Sequence, residues 1–313
     1  MKHIGRLALF LFLAVNAFFI GMLLLTAYSP YINPEVHPVQ ACLGLTFPIF
    51  LVINFSFLVF WLIVRYRLAL VPLLGFLLCY PQIRTYMPIN MEPSGQPENS
   101  IKLLSYNIMS FGNMKKENGQ NPILNYIKNS KADIVCMQEY AGSETAKIHL
   151  NNKEIRQALK DYPYRHIKQV GKTGAGSQIA CYSKFPILSA RMLDYQSNYN
   201  GSMVYDIKIG KDTVLLINNH LESNKLTRED KVVYEDMLKD PKAGKVKSGI
   251  RQLVNKLAEA SAIRSAQARA IAQEIARSPY PSVIVCGDFN DSPISYALIL
   301  IKKKMAGARA VGG

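Results

Sequence analysis

Residues 281–293 read PSVIVCGDFNDSP, an apolar strand that runs into Asp288, Asn290 and Asp291. Gly287 lets the backbone turn where the strand ends. In an extended segment residues two apart face the same way, so Asp288 and Asn290 are expected to project together. They would form an acceptor–donor pair suited to a metal ion, a water or a phosphate. A polar turn with an Asx cap is the plainer alternative, and Asp291 and Ser292 are expected to do no more than cap that turn. Three other apolar runs end in the same manner: IKLLSYN in Asn107, DIVCMQE in Glu139 and TVLLINNH in His220. Ligands bind at strand ends in α/β sheets. Burying such groups unpaired would cost on the order of several kcal/mol each. Gathered around a hard cation and a phosphate, they satisfy one another.

These residues need strands to carry them and helices to cover the strands. Apolar runs at 101–106, 133–137, 178–183, 203–209, 213–218 and 282–286 predict strands. Helical periodicity is expected over 120–129, 151–160, 227–238 and 250–277, and the mixture predicts an α/β domain. The last helix carries an alanine-rich apolar stripe with Arg251, Lys256, Arg264, Arg269 and Arg277 around it, the pattern of a surface helix packed on a sheet. The basic stretch 239–256, with Gly244 and Gly249, suits either contact with anionic lipid or polynucleotide, or a solvated loop.

The ordered set SYNI (105–108), DIVCMQE (133–139), SQIACYSKFPI (177–187), NNHLES (218–223) and GDFNDSP (287–293) resembles the endonuclease/exonuclease/phosphatase superfamily, the DNase I-like fold. The resemblance runs over about 100–297. It implies a four-layer sandwich, two mixed β-sheets flanked by helices, and hydrolysis of phosphoester bonds, usually with Mg²⁺ and alternatively Mn²⁺. It further implies that Glu139 holds the metal with Asn107 beside it. His220 would bond the scissile phosphate and protonate the leaving group. Asp288 would orient or deprotonate the attacking water, and Asn290 would hold a phosphoryl oxygen. Ser177 and Gln178 fall at the edge of this pattern, with structural roles expected, as for Asn218.

One element of the family pattern is missing. The family ends in an Asp-His pair, whereas this sequence has histidines only at 3, 37, 149, 166 and 220. The chain is therefore expected to be a C-terminally truncated form, its tail KKKMAGARAVGG poorly structured. That leaves a second reading open, a catalytically impaired or silent membrane-tethered remnant or binding module.

Charge separates the N-terminal part from the rest. Residues 1–99 hold five Lys/Arg and three Asp/Glu; from 100 onward there are 32 and 19, a balance of +13 that suits nucleic acid, phospholipid headgroups or other polyanions. Residues 7–28 and 43–64 are uncharged and long enough to cross a bilayer, and 68–83 is a shorter third segment broken by Pro72 and Pro81. The expected organisation is a membrane anchor over 1–90 with three transmembrane helices, a linker over 91–100 and the hydrolase-like domain over 101–313. Lys2, Arg6, Arg65 and Arg67 flank the spans, while 29–42 has no Lys or Arg. The positive-inside rule then puts the chain in the inner (cytoplasmic) membrane with the domain on the extracytoplasmic side. Should the third segment fail to cross, the domain is cytoplasmic. The five cysteines form no close-spaced Cys/His cluster of the zinc type.

Overall fold

The computed structural model describes residues 2–89, 100–112, 119–142, 150–171, 178–195, 197–224, 226–227, 229–230, 232, 235 and 243–309. Most of the expected linker, Ser177 and most of the expected helix 227–238 lie outside the described residues. Chain contacts define two compact units. One comprises Met1–Glu92, Asn224–Ser265 and Asp291–Ile299; the other comprises Pro93–Ser223, Ala266–Asn290 and Leu300–Gly313.

The second unit holds two four-stranded sheets. The first is ordered β1 (Leu103–Asn107), β2 (Ile134–Tyr140), β4 (Gln178–Ser183), β3 (Tyr164–Gln169). The second is ordered β5 (Ile187–Met192), β6 (Gly201–Ile209), β7 (Asp212–His220), β8 (Ser282–Asp288). Both are mixed: β1 runs parallel to β2 and β7 parallel to β8, and the remaining pairs are antiparallel.

Alternation along the strands explains the layering. Ile134, Cys136, Ile179 and Cys181 of the first sheet and Met203, Tyr205, Ile207 and Leu216 of the second share one buried cluster, so these faces pack on each other. The intervening residues Val135, Met137, Ala180 and Tyr182 pack instead with Ile123, Leu124 and Ile127 of α6 (Pro122–Ser130) and Ile155 of α7 (Asn152–Ala158). On the far side, Ala268, Ile271, Ala272 and Ile275 form a buried stripe on the long helix α8 (Ala243–Arg277). Gln267 and Glu274 of the same face bond the Glu222 amide and Arg191 of β5. The result is a helix–sheet–sheet–helix sandwich.

Two strands escape the sequence pattern. β3 and β5 are edge strands with mostly exposed side chains, so they carry no apolar alternation to read. Of the tail expected to lack structure, residues 302–309 are helical instead, as the end of α9 (Tyr296–Arg309), in which Ala297 and Ile301 are buried one turn apart, and 310–313 lie outside the described residues. Its Ala, Leu, Lys and Met residues are good helix formers. The basic stretch is likewise helical from Ala243 onward, which removes the loop alternative there.

In the first unit, Arg6–Tyr31 and Pro38–Val64 are each long and apolar enough to cross a membrane. Tyr66–Leu78 and Tyr80–Tyr86 make a third candidate only if counted together, and they are bent by 68°. Pro81, without an amide hydrogen, cannot continue the preceding helix's hydrogen-bond ladder. Phe10, Phe18, Val52 and Ile63 are exposed on the two long helices. Between α1 (Lys2–Tyr28) and α3 (Phe47–Val64) the contacts include polar ones: Trp61 Nε1 donates to Asn16 Oδ1 (3.0 Å) and Asn54 Nδ2 to the Phe19 carbonyl (2.9 Å).

Asn121 is the local keystone of the helix layer. Its Oδ1 accepts from the Ile123 and Leu124 amides at the start of α6, and its Nδ2 donates to the Phe111 carbonyl. Asn121→Ala is expected to lower stability by about 2 kcal/mol, measured as an earlier thermal transition in detergent. Asn121→Asp, which keeps the cap acceptor, should lose less.

Candidate active site

Three of the four strand-end residues continue the inter-sheet rows, and in β2 the row ends in Gln138 instead of Glu139. Leu103–Ser105–Asn107, Ile134–Cys136–Gln138, Leu216–Asn218–His220 and Ile284–Cys286–Asp288 each step by two along a strand, from apolar to polar. The alternation that buries the core therefore delivers Asn107, His220 and Asp288 to one end of the sandwich. Beneath them Gln138 Nε2 donates to Asn218 Oδ1 across the two sheets (2.6 Å), and Asn218 Nδ2 reaches the Ala180 carbonyl. Asn219, on the other face, is satisfied by Ser202 and by the Cys286 carbonyl. In register, His220 lies directly beside Asp288.

Glu139 is out of phase and would face the helix layer if β2 were regular. It does not, because the β2–β4 register shifts between Met137 and Tyr140 and Glu139 itself has φ 51°. A bulge re-aims a side chain in this way, and the left-handed backbone costs about 1–3 kcal/mol in a non-glycine residue. Glu139 Oε1 accepts from Asn107 Nδ2 at 2.9 Å and stands 3.7 Å from His220 Nε2. The same Asn107 Nδ2 donates to Asp288 Oδ2 at 2.9 Å, and Asn107 Oδ1 accepts from the Met109 amide. One side-chain amide thus bridges two carboxylates carried by different sheets.

Asp288 and Asn290 do not project together as an extended pair. β8 ends at Asp288, and Asn290 has φ 51°, so its amide turns back to Asp288 Oδ1 (2.9 Å) while its Nδ2 donates to the Leu221 carbonyl (2.9 Å). The Asx turn and the polar cluster are one structure. Gly287 makes it feasible: its φ is +129°, and a Cβ there would lie 2.0 Å from the Asn219 carbonyl oxygen.

His220 is 5 % exposed. Burial lowers its pKa below the usual imidazole range, and the Asp288, Glu139 and Glu222 charges oppose that shift without cancelling it. Burial thus favours the neutral ring. Among the described residues no group of three His, Cys, Asp or Glu is arranged to hold a metal ion.

Several contributors went unassigned in the sequence. Glu222, in the motif HLES, is buried and accepts from Ser197 Oγ at 2.8 Å. Gln138 precedes Glu139 and could have been found by its parity with Cys136. Asp291 does more than cap: its Oδ1 accepts from the Ser292 amide, and its Oδ2 pairs with Arg264 at 3.0 Å. Arg264 itself, expected at the rim of the helix stripe, is 1 % exposed.

A profile of the endonuclease/exonuclease/phosphatase family matches residues 104–308, and a domain of unknown function matches 9–86. No curated protein matches the chain in sequence. Among solved structures, a truncated TDP2 of Caenorhabditis elegans is similar at 19% identity and TM-score 0.38, covering 61% of this chain and 62% of that one. D. rerio TDP2 in complex with a single-strand DNA product matches at 15% identity and TM-score 0.39, covering 63% and 64%. Sphingomyelinase C from Streptomyces griseocarneus matches at 18% identity and TM-score 0.41, covering 67% and 70%. The chain thus spans less than two thirds of the length of both TDP2 structures, and at these scores the likenesses carry no weight of their own.

Gly287→Ala is expected to destabilise the protein by at least ~3 kcal/mol, from backbone strain and collision with β7 together. Thermal unfolding in detergent checks the loss. A transition within 1 °C or so of wild type would contradict the geometry at Gly287.

Proposed function

Because the chain belongs to the endonuclease/exonuclease/phosphatase family, we propose that it is a phosphoester hydrolase that works with a divalent cation and is carried on membrane-spanning helices. The observation that carries this reading is the shared Asn107 amide, which holds Glu139 and Asp288 at one point with His220 alongside. Two carboxylates and an imidazole so close together serve no packing purpose, and they match what in-line attack of water on phosphorus needs.

The donor set fits Mg²⁺. That ion takes hard oxygen ligands, commonly one or two carboxylates with waters and substrate phosphate completing the shell, and so does not need a cage of three side chains. Glu139, whose side chain is 37% exposed, would hold it, with Asn107 beside it. When bound, the cation supplies Lewis-acid stabilisation of the charge that grows on the phosphoryl oxygens.

The chain's own residues supply the rest. Asp288 accepts a hydrogen bond from the attacking water and takes its proton. Asn290 is oriented before substrate arrives, because the Leu221 carbonyl fixes its amide, and it donates to a phosphoryl oxygen as charge develops. His220 enters neutral. The negative phosphate raises its proton affinity, so the ring takes up a proton from solvent as substrate binds, bonds the phosphate and passes that proton to the leaving oxygen. The Glu222 and Glu139 charges support the protonated form.

The positive balance beyond residue 99 favours anionic phosphoesters, either nucleic acid or phospholipid headgroups. The apolar helices with Lys2, Arg6, Arg65 and Arg67 at their ends support an anchor in the inner membrane with the site on the extracytoplasmic side if three segments cross.

The deciding measurement is hydrolysis of bis-p-nitrophenyl phosphate by the full chain in detergent. Activity should require Mg²⁺, disappear with chelator and return on repletion. Glu139→Ala and Asp288→Ala should each lower kcat by about 10²–10⁴-fold. Activity unchanged in both variants would sink the assignment. A wild-type chain that binds Mg²⁺ but hydrolyses nothing would favour a silent binding module instead. Plasmid DNA, RNA and sphingomyelin then sort the substrate class.

A further inference from the structure

The buried guanidinium of Arg264 is unused by the mechanism above, yet it touches both segments that leave the site. Its Nε donates to Asp291 Oδ2 and its Nη1 to Asn224 Oδ1, each at 3.0 Å. Asp291 follows Asn290 directly in the chain and lies three residues after Asp288; Asn224 lies four residues after His220. A charge so deeply buried is tolerated only when paired, and the Arg264 and Asp291 side chains are 1% and 8% exposed. The planar fork of arginine reaches two acceptors at once, which the point charge of lysine does not. One turn further along α8, Gln267 Oε1 accepts from the Glu222 amide. The same helix therefore grips the segment after β7 twice.

We infer that Arg264 is a positioning residue: it ties the chain after His220 to the chain after Asn290, and so holds the Asp288–Asn290 turn in place against the paired ends of β7 and β8. The Asx turn at Asp288 is short, and Asn290 sits in a left-handed conformation that needs its surroundings to hold it. The Arg264–Asp291 pair supplies that restraint immediately downstream. A second restraint is apolar: Ile294, 2% exposed, packs with Leu23, Ala27, Phe47 and Cys79 of the N-terminal helices. Loss of the fork would therefore loosen residues 288–291 without releasing the whole segment.

The inference rests on the hydrolase reading for its catalytic consequence but not for its structural one, and the test separates them. Wild type, Arg264→Lys, Asp291→Asn and the double variant are compared in detergent by hydrogen exchange and by hydrolysis of bis-p-nitrophenyl phosphate with Mg²⁺. Arg264→Lys keeps the charge and removes the fork. Amides of 287–291 and 221–224 should exchange about tenfold faster or more, while β2, β4 and β6 are unchanged. kcat should fall about tenfold or more, with KM and Mg²⁺ affinity held, because a misplaced base slows the chemical step and not binding. The double variant should be no worse than the single ones. Unchanged exchange at both segments, acceleration spread evenly over the protein, or faster exchange with unchanged kcat would each overturn the proposal. If wild type hydrolyses nothing, the hydrolase reading falls, and the exchange data still decide whether Arg264 ties the two segments.

Discussion

A single side-chain amide holds together the polar end of the two-sheet sandwich. Asn107 Nδ2 donates to Glu139 from one strand and to Asp288 from another, and the two acceptors belong to different sheets. Two carboxylates facing one another repel, and an amide between them both satisfies their lone pairs and fixes their separation. That arrangement is possible only because the sheets pack face to face, with the last inward residue of each strand reaching the same end. Below it, the Gln138–Asn218 bond repeats the motif in neutral form and ties the sheets where the apolar core ends. Polar groups buried there cost little because they are paired.

Strain is concentrated at the same place. Glu139 and Asn290 both have φ near +51°, and Gly287 has a φ that other residues rarely adopt. Each departure from regular strand geometry turns one group toward the cluster: the bulge for Glu139, the turn for Asn290, and the close approach to β7 for Asp288. Core packing on both sides of the sheets supplies the stability that these positions spend. His220 adds a further cost, since its burial disfavours the charged ring that neighbouring carboxylates favour.

The N-terminal helices follow a different logic. Their long faces are apolar and exposed, while a few polar groups, Asn16, Asn54 and Trp61, bond one helix to the next. In an apolar surrounding such bonds hold helices together where burial of apolar surface gives no driving force. The compact unit they form also takes in Asn224–Ser265 and Asp291–Ile299, so Ile294 is packed among Leu23, Ala27 and Phe47.

Much of this was legible in the residues. Apolar runs predicted β1, β2, β4, β6, β7 and β8, because a strand buried on one or both faces must carry apolar residues that show in the sequence. The polar ends of four strands marked Asn107, Glu139, His220 and Asp288, and the order of the motifs pointed to the family. Edge strands β3 and β5 left no such trace, since an exposed side chain is under no packing constraint. Other features depended on partners far away in the chain. Glu139 faces the site only because β2 bulges against β4, Asp291 is an ion-pair partner only because α8 brings Arg264 to it, and Asn290 turns back only because Leu221 offers a carbonyl. Local periodicity therefore determined which residues reach the end of the sandwich. Tertiary contacts between distant segments decided which way they point, because the energy that holds a strained backbone or a buried charge comes from neighbours that no local pattern records.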